Sequence, residues 1–264
     1  MAELTETLAE VEESFSFQPA VEAALVVEAV VLVASEADPL VVVPSEVEEQ
    51  VEDGKFSSMD YKNILFIDIE TVPQRKSYDE LDDREREFWD RKAYFLSKGN
   101  QDETPDSLYE RAGIYAEYGK VICISCGFIH AQNGTDEFRS SSFTGNEVEV
   151  LTGFRDLLES NKKRFKALCA HNGREFDFPY LCRRMLINDI DLPEILSIHG
   201  KKPWDLEDQL LDTLLLWRFG DYKNFTSLSL LCHIFNIPTP KDDISGADVG
   251  DVYYHDNDIE KIRD

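Results

Sequence analysis

The chain has 264 residues, 42% of them hydrophobic, enough for one sizeable domain with an appendage. Its formal charge of −26 argues against binding nucleic acid by general surface electrostatics. The most apolar run, 23–34, is too short to span a bilayer and carries Glu28, and no basic segment precedes it as a secretory signal requires.

Residues 1–58 hold fourteen acids against one base, Lys55, and so carry half of the net charge. Rich in Glu, Val and Ala, they read as an acidic low-complexity extension, disordered or loosely helical. An acidic interaction arm is the functional alternative. The folded domain is expected over 59–264, and its pattern is mixed α/β.

Strand one is predicted over Asn63–Ile69. A charged, aromatic stretch, Tyr78–Tyr118, follows as an inserted helical region broken at Pro105. Lys120–His130 is a second strand. Asn133-Gly134 is a two-residue hairpin turn, and Glu137–Phe143 returns as a third strand. Asn146, with Glu149 three residues on, caps a helix whose apolar face is Val148, Leu151, Phe154, Leu157 and Leu158. Lys166–Ala170 is a fourth strand. His171-Asn172-Gly173 then leads into a helix through Phe178, Leu181 and Met185. Leu210–Trp217 is a further apolar segment, Leu228, Leu231 and Phe235 mark another helix, and Asn257 with Glu260 opens the last. Three antiparallel strands, a helix, and a strand returning parallel beside the first make a ribonuclease H-like sheet.

The five cysteines, Cys123, Cys126, Cys169, Cys182 and Cys232, are scattered and odd in number, so no disulfide framework is expected. Cys123 and Cys126 lie three apart on a strand and point to opposite faces. Buried thiols in a reducing cytoplasm fit best.

The chemistry concentrates at the end of strand one. Asp68 and Glu70 are two apart, so they share one face of the strand, with Ile69 on the other. Two readings fit this segment alone. One is a site for Mg²⁺ or Mn²⁺, which take carboxylate oxygens. The other is an acidic strand-to-loop exit without a metal. Ligands in such sheets gather at the carboxyl ends of the strands, where the order switches. Asp177 is expected about one turn into the helix after strand four, facing the same place. By itself it reads as a helix N-terminal acid.

Together these segments resemble a known family. Phe66-Ile-Asp68-Ile-Glu70-Thr71 looks like the first motif of the DEDD 3′–5′ exonucleases, and His171-Asn172-Gly173 with Phe176-Asp177 like the second. Trp217, Phe219-Gly220, Ser227-Leu228 and Leu231 resemble the branch related to the proofreading domains of family-B DNA polymerases. The resemblance covers about 60–264. It implies a two-metal phosphodiesterase in which Asp68 bridges two divalent cations, Mg²⁺ or Mn²⁺. Glu70 completes the first metal site and Asp177 the second. Thr71, Asn172 and Phe176 would lie against the terminal nucleotide. The implied partner is the 3′ end of a single-stranded nucleic acid, DNA ahead of RNA. Lys201-Lys202, Arg183-Arg184 and Lys162-Lys163 are candidate guides for that strand.

The family's third motif is Tyr-x-x-x-Asp on the last helix. Tyr254 and Asp258 have the spacing, but Asp258 falls where a first-turn acid would stabilise the helix dipole. The chain is therefore expected to be a fragment ending before its fourth catalytic acid. The alternative function is a nuclease-fold binding or scaffold module without turnover.

Overall fold

The computed structural model describes residues 60–100, 102–132, 135–202, 206–237, 249–256 and 258–263. The acidic extension 1–58, the Asn133-Gly134 turn and Asn257 lie outside the described residues.

The sheet has five strands in the order β3-β2-β1-β4-β5. They are β1 (Ile64–Pro73), β2 (Gly119–Gln132), β3 (Thr135–Thr144), β4 (Ala167–Ala170) and β5 (Leu210–Asp212). β1, β2 and β3 pair antiparallel, whereas β4 and β5 run parallel to β1. This is the ribonuclease H-like order. β2 and β3 form a long hairpin, with Gln132 opposite Thr135.

The helices follow from local chemistry. α1 (Asp83–Ser97) starts at a complete capping box between Asp82 and Glu85. α2 (Pro105–Tyr109) begins on Pro105, so the proline starts a helix where its missing N–H costs nothing. α3 (Glu147–Ser160) is capped by Asn146, as the sequence predicts. Its buried face is Val150, Leu151, Phe154 and Leu158, while Val148 is exposed. α4 (Asp177–Ile187) follows β4. The apolar segment after Leu210 divides at Asp212, which ends β5 and caps α5 (Thr213–Arg218). α6 is Leu228–Ile234. A short helical turn, Val249–Asp251, continues into a π turn, Val252–Asp256, and Ile259–Arg263 forms the final helix, α7.

Alternation along the strands divides the core. Leu65, Ile67, Ile69, Leu168 and Ala170 face α3 and α4 in one large cluster. Ile64, Phe66, Ala167, Cys169 and Leu211 form a smaller cluster on the other face. The insertion between β1 and β2 has a core of its own around Trp89, whose ring lies edge-on to Tyr109 at 5.2 Å and to Tyr118 at 5.0 Å. The backbone turn Ala112–Ile114 then packs on the end of β1. A Cβ on Gly113 would sit 2.9 Å from the Val72 carbonyl carbon, so only glycine permits that approach.

Candidate active site

β1 outruns its parallel neighbour. β4 pairs with it only over Ile64–Phe66, then ends at Ala170. The sequence predicts strand one to end at Ile69, but β1 continues to Pro73 because β2 stays paired beside it. The edge of β1 at Asp68–Glu70 is thereby left open at the carboxyl ends of β4 and β5. The backbone N–H of Ile69 favours the charged form of both Asp68 and Asp177.

The β1–β2 register shifts between Glu70 and Thr71, which face Cys123 and Val121 respectively. Ile122 is the extra residue of this bulge, a device that re-aims side chains beside functional sites. Glu147 Oε1 takes up the Val121 N–H at 2.8 Å. The same carboxylate forms a two-pronged ion pair with the buried Arg184, at 2.7 Å and 2.5 Å, and Arg184 also donates to the Ala116 carbonyl. Arg184 therefore braces α3 and α4 against β2 and is no guide for a strand. Lys201 is similarly engaged, by Gln209 and the Glu194 carbonyl.

The three acids interact through Asp68. Asp68 and Glu70 are half-buried, and Asp177 is 3% exposed. Burial pushes Asp68 up to about 6. Burial, and then the charge of Asp68, push Glu70 up to about 8. Asp177 is raised well above the usual carboxylate range, first by burial and then by Asp68, with Asp212 a lesser cause. Among the described residues, no Lys, Arg or His forms an ion pair with any of the three.

That donor set suits a hard divalent cation: all-oxygen, short of counter-charge and partly desolvated. The fit is incomplete as the side chains stand. Among the described residues no three His, Cys, Asp or Glu side chains are grouped closely enough to hold a metal ion. Asp68 couples to each of the others rather than all three meeting at one point.

The second segment is a tight turn. Asn172 adopts a left-handed backbone (φ 61°), which asparagine tolerates well. Gly173 is needed for closeness instead: a Cβ there would lie 2.5 Å from the Ala170 Cβ. Asp177 is the first residue of α4 rather than one turn into it, and Phe176 precedes it. Phe176 is half-buried, its ring 5.4 Å from that of Tyr180. The Tyr180 hydroxyl donates to the Gly113 carbonyl at 2.7 Å and also hydrogen-bonds with Thr71.

Asp212, outside the motifs, and His171, at the start of the second, hold this turn. Asp212, 4% exposed, accepts the N–H groups of Asn172 (2.9 Å), Arg174 (3.0 Å) and Leu214 (2.9 Å). His171 Nε2 donates to the Thr226 carbonyl, so its Nδ1 accepts from the Thr213 hydroxyl, each at 2.8 Å. Burial lowers the His171 pKa and keeps the ring neutral. The sequence signal for Asp212 is an acid followed by threonine at the end of Leu210-Leu211, concealed inside what reads as one apolar segment.

The third-motif candidates do not join the acids. Tyr254 donates to the Pro73 carbonyl at 2.5 Å, beyond the far end of the carboxylate pair. Asp258 is exposed and accepts the Lys261 N–H at 3.0 Å, capping α7. Ile259 and Ile262 anchor that helix on Val72 and Ile122.

The strand order is that of the ribonuclease H-like class. Residues 114–264, more than half of the chain, match the model of a family described as predicted 3′–5′ exonucleases related to the exonuclease domain of PolB, and the chain belongs to that family. The match includes Asp177, Tyr254 and Asp258 and begins after Asp68 and Glu70. Among solved structures, the chain is similar to the family B DNA polymerase from the hyperthermophilic archaeon Pyrobaculum calidifontis. The two share 13% identity at a TM-score of 0.47, over 75% of this chain and 22% of the polymerase, so the chain spans about a fifth of that protein's length. No curated protein matches the chain. Among the described residues, no helix is long and apolar enough to cross a membrane.

Proposed function

We propose that the domain over 59–264 is a metal-dependent 3′–5′ exonuclease that releases nucleotides from single-stranded ends, DNA ahead of RNA. The observation that carries this reading is the set of three carboxylates, half-buried Asp68 and Glu70 and buried Asp177, all raised by burial and the outer two also by Asp68, with no protein cation among the described residues to neutralise them. Two divalent cations, Mg²⁺ or Mn²⁺, would supply an activated water and stabilise the leaving 3′ oxygen.

The residues present have defined parts in that reading. Asp68, Glu70 and Asp177 would hold the cations, with Asp68 contributing to both sites. The Ile69 N–H steadies both aspartates. Asn172, Phe176 and Thr71 border the acids and contact the terminal nucleotide through amide, ring and hydroxyl. Five free cysteines, four of them buried, suit a reducing cytoplasm.

A second reading is a binding module without turnover. It is favoured by one observation: Asp258, the candidate fourth acid, is occupied as a helix cap. An assay on a labelled single strand with Mn²⁺ separates the two. The expected result is stepwise shortening from the 3′ end, abolished by chelation and by Asp68→Ala. Cleavage that survives Asp68→Ala would refute the proposed centre, and binding without any metal-dependent cleavage would favour the module.

A further inference from the structure

We infer that the outer face of α1 is a docking surface for single-stranded nucleic acid leading away from the acidic centre. This rests on the exonuclease reading above and adds to it the surface that holds the rest of the substrate.

Arg84, Phe88, Arg91, Phe95 and Lys98 recur at four- and three-residue intervals, so they form one stripe along α1 and its C-cap. All five are exposed. Phe88 and Phe95 are 47% and 69% exposed, and Tyr94 on the flank is 75% exposed. These rings do not serve the core, because the opposite face already supplies Trp89 and Ala93 to it. The stripe contains three cations and no acid, in a chain of net charge −26. Arg84 lies 5.8 Å from the centre of the Phe88 ring, and Tyr94 meets Phe95 edge-on at 5.5 Å. Glu87, beside the stripe, pairs with Arg91 at 2.9 Å, an exposed ion pair that a phosphate can replace at small cost.

The alternation decides the occupant. A strand presents phosphates and bases in turn, and non-specific single-strand sites combine cations with aromatic platforms. A protein partner or a second copy would ask instead for a contiguous apolar patch, whereas here each phenylalanine is bracketed by cations. Position agrees as well. Glu85, in the first turn of α1, pairs with Arg75 at 3.1 Å. Arg75 lies five residues past Glu70, two past the end of β1, and so at most about 17 Å from it. From Arg84 the stripe runs roughly 21 Å to Lys98.

The test uses the full chain and two double variants, Phe88→Ala with Phe95→Ala, and Arg84→Gln with Lys98→Gln. Binding of a fluorescent oligothymidylate is followed by anisotropy in EDTA over a salt series. The aromatic variant should bind about tenfold or more weakly, since removing each base–ring stack costs about fivefold or more and two are removed. The charge variant should lower the slope of log affinity against log salt by about 0.7 for each phosphate it no longer neutralises. In Mn²⁺, the advantage of the long substrate over a dinucleotide should shrink in both. Unchanged affinity, salt slope and length dependence in the variants overturns the docking surface while leaving the exonuclease reading intact. Absence of strand binding by the wild type also overturns it. Wild-type binding that the variants weaken, with no cleavage by any of them, supports the surface and overturns the exonuclease reading instead. A dimer that the variants dissociate, with strand binding unaffected, would reassign the face to a second copy.

Discussion

The Asp212 carboxylate accepts the backbone N–H of Asn172 at 2.9 Å, and this hydrogen bond fixes the turn that delivers Phe176 and Asp177 to the open edge of β1. Oδ1 also takes the N–H groups of Leu214 and Leu215, while Oδ2 takes that of Arg174. Asp212→Ala should therefore cost about 3 kcal/mol in urea unfolding, because several enclosed N–H donors lose their acceptor together. Asp212→Asn retains an oxygen for the Oδ1 donors and should cost about 1 kcal/mol. Exonuclease activity should fall in the same order, at temperatures where both variants remain folded. Equal stability of the two variants would show that the turn does not depend on this carboxylate.

That dependence marks where the sequence was legible and where it was not. The first four strands, the α3 cap and the acid pair on β1 are local: each follows from a period of two, a period of 3.6 or a capping residue within four positions, whereas β5 is hidden in an apolar segment. Asp212 is separated by 40 residues from the backbone it holds, and nothing in its own neighbourhood names Asn172 as partner. The Glu147–Arg184 pair has the same character, since a surface-type Arg-Arg dipeptide conceals one buried arginine. The limit of β1 was also misplaced, because its last residues are held by pairing with β2 rather than by an apolar pattern.

The raised carboxylates predict how stability changes with pH. Asp68 moves from 3.8 to about 6 and Glu70 from 4.5 to about 8. A raised acid keeps its proton in the native state after the unfolded chain has lost it. The native state is then relatively proton-rich, and stability falls as pH rises, from about pH 4 to about pH 8 for this pair. Metal-free protein should accordingly unfold at lower urea at pH 8.5 than at about pH 5. Asp68→Asn removes the central charge and should flatten that profile, stabilising the metal-free chain by about 2 kcal/mol at the alkaline end while abolishing cleavage. A wild-type profile that rises between these pH values would contradict the burial of the pair.

Arg184 and Glu147 form a second, purely structural electrostatic unit. Arg184→Met leaves Glu147 enclosed without its partner and the Ala116 carbonyl without its donor, and should cost about 3–5 kcal/mol. Adding Glu147→Gln to that variant should recover part of the loss, because the stranded charge is gone. Glu147 also holds the Val121 N–H opposite Thr71, so the single variant should raise KM as well as lower the melting temperature. A double variant less stable than the single one would show that the pair is not coupled in this way.

Tyr254 and Asp258 offer the sharpest contrast with the acids on β1 and α4. Asp258 is exposed and its oxygen caps α7 through the Lys261 N–H. Asp258→Ala should therefore behave as a lost N-cap, costing about 1 kcal/mol or less in stability. Its cleavage rate should stay within about tenfold of the parent, far from the loss expected on removing a preorganised charge at the reacting centre. Tyr254→Phe removes one hydrogen bond to the Pro73 carbonyl and should cost about 1 kcal/mol, with the end of β1 loosened accordingly. Metal-titrated kinetics of Asp258→Ala beside Asp177→Asn decide the matter. If the two fall together, and added Mn²⁺ partly restores both, Asp258 must leave its cap and move to the acids during turnover. If only Asp177→Asn collapses, the chemistry of this chain runs through Glu70, Asp68 and Asp177, and the cap on α7 serves the fold alone.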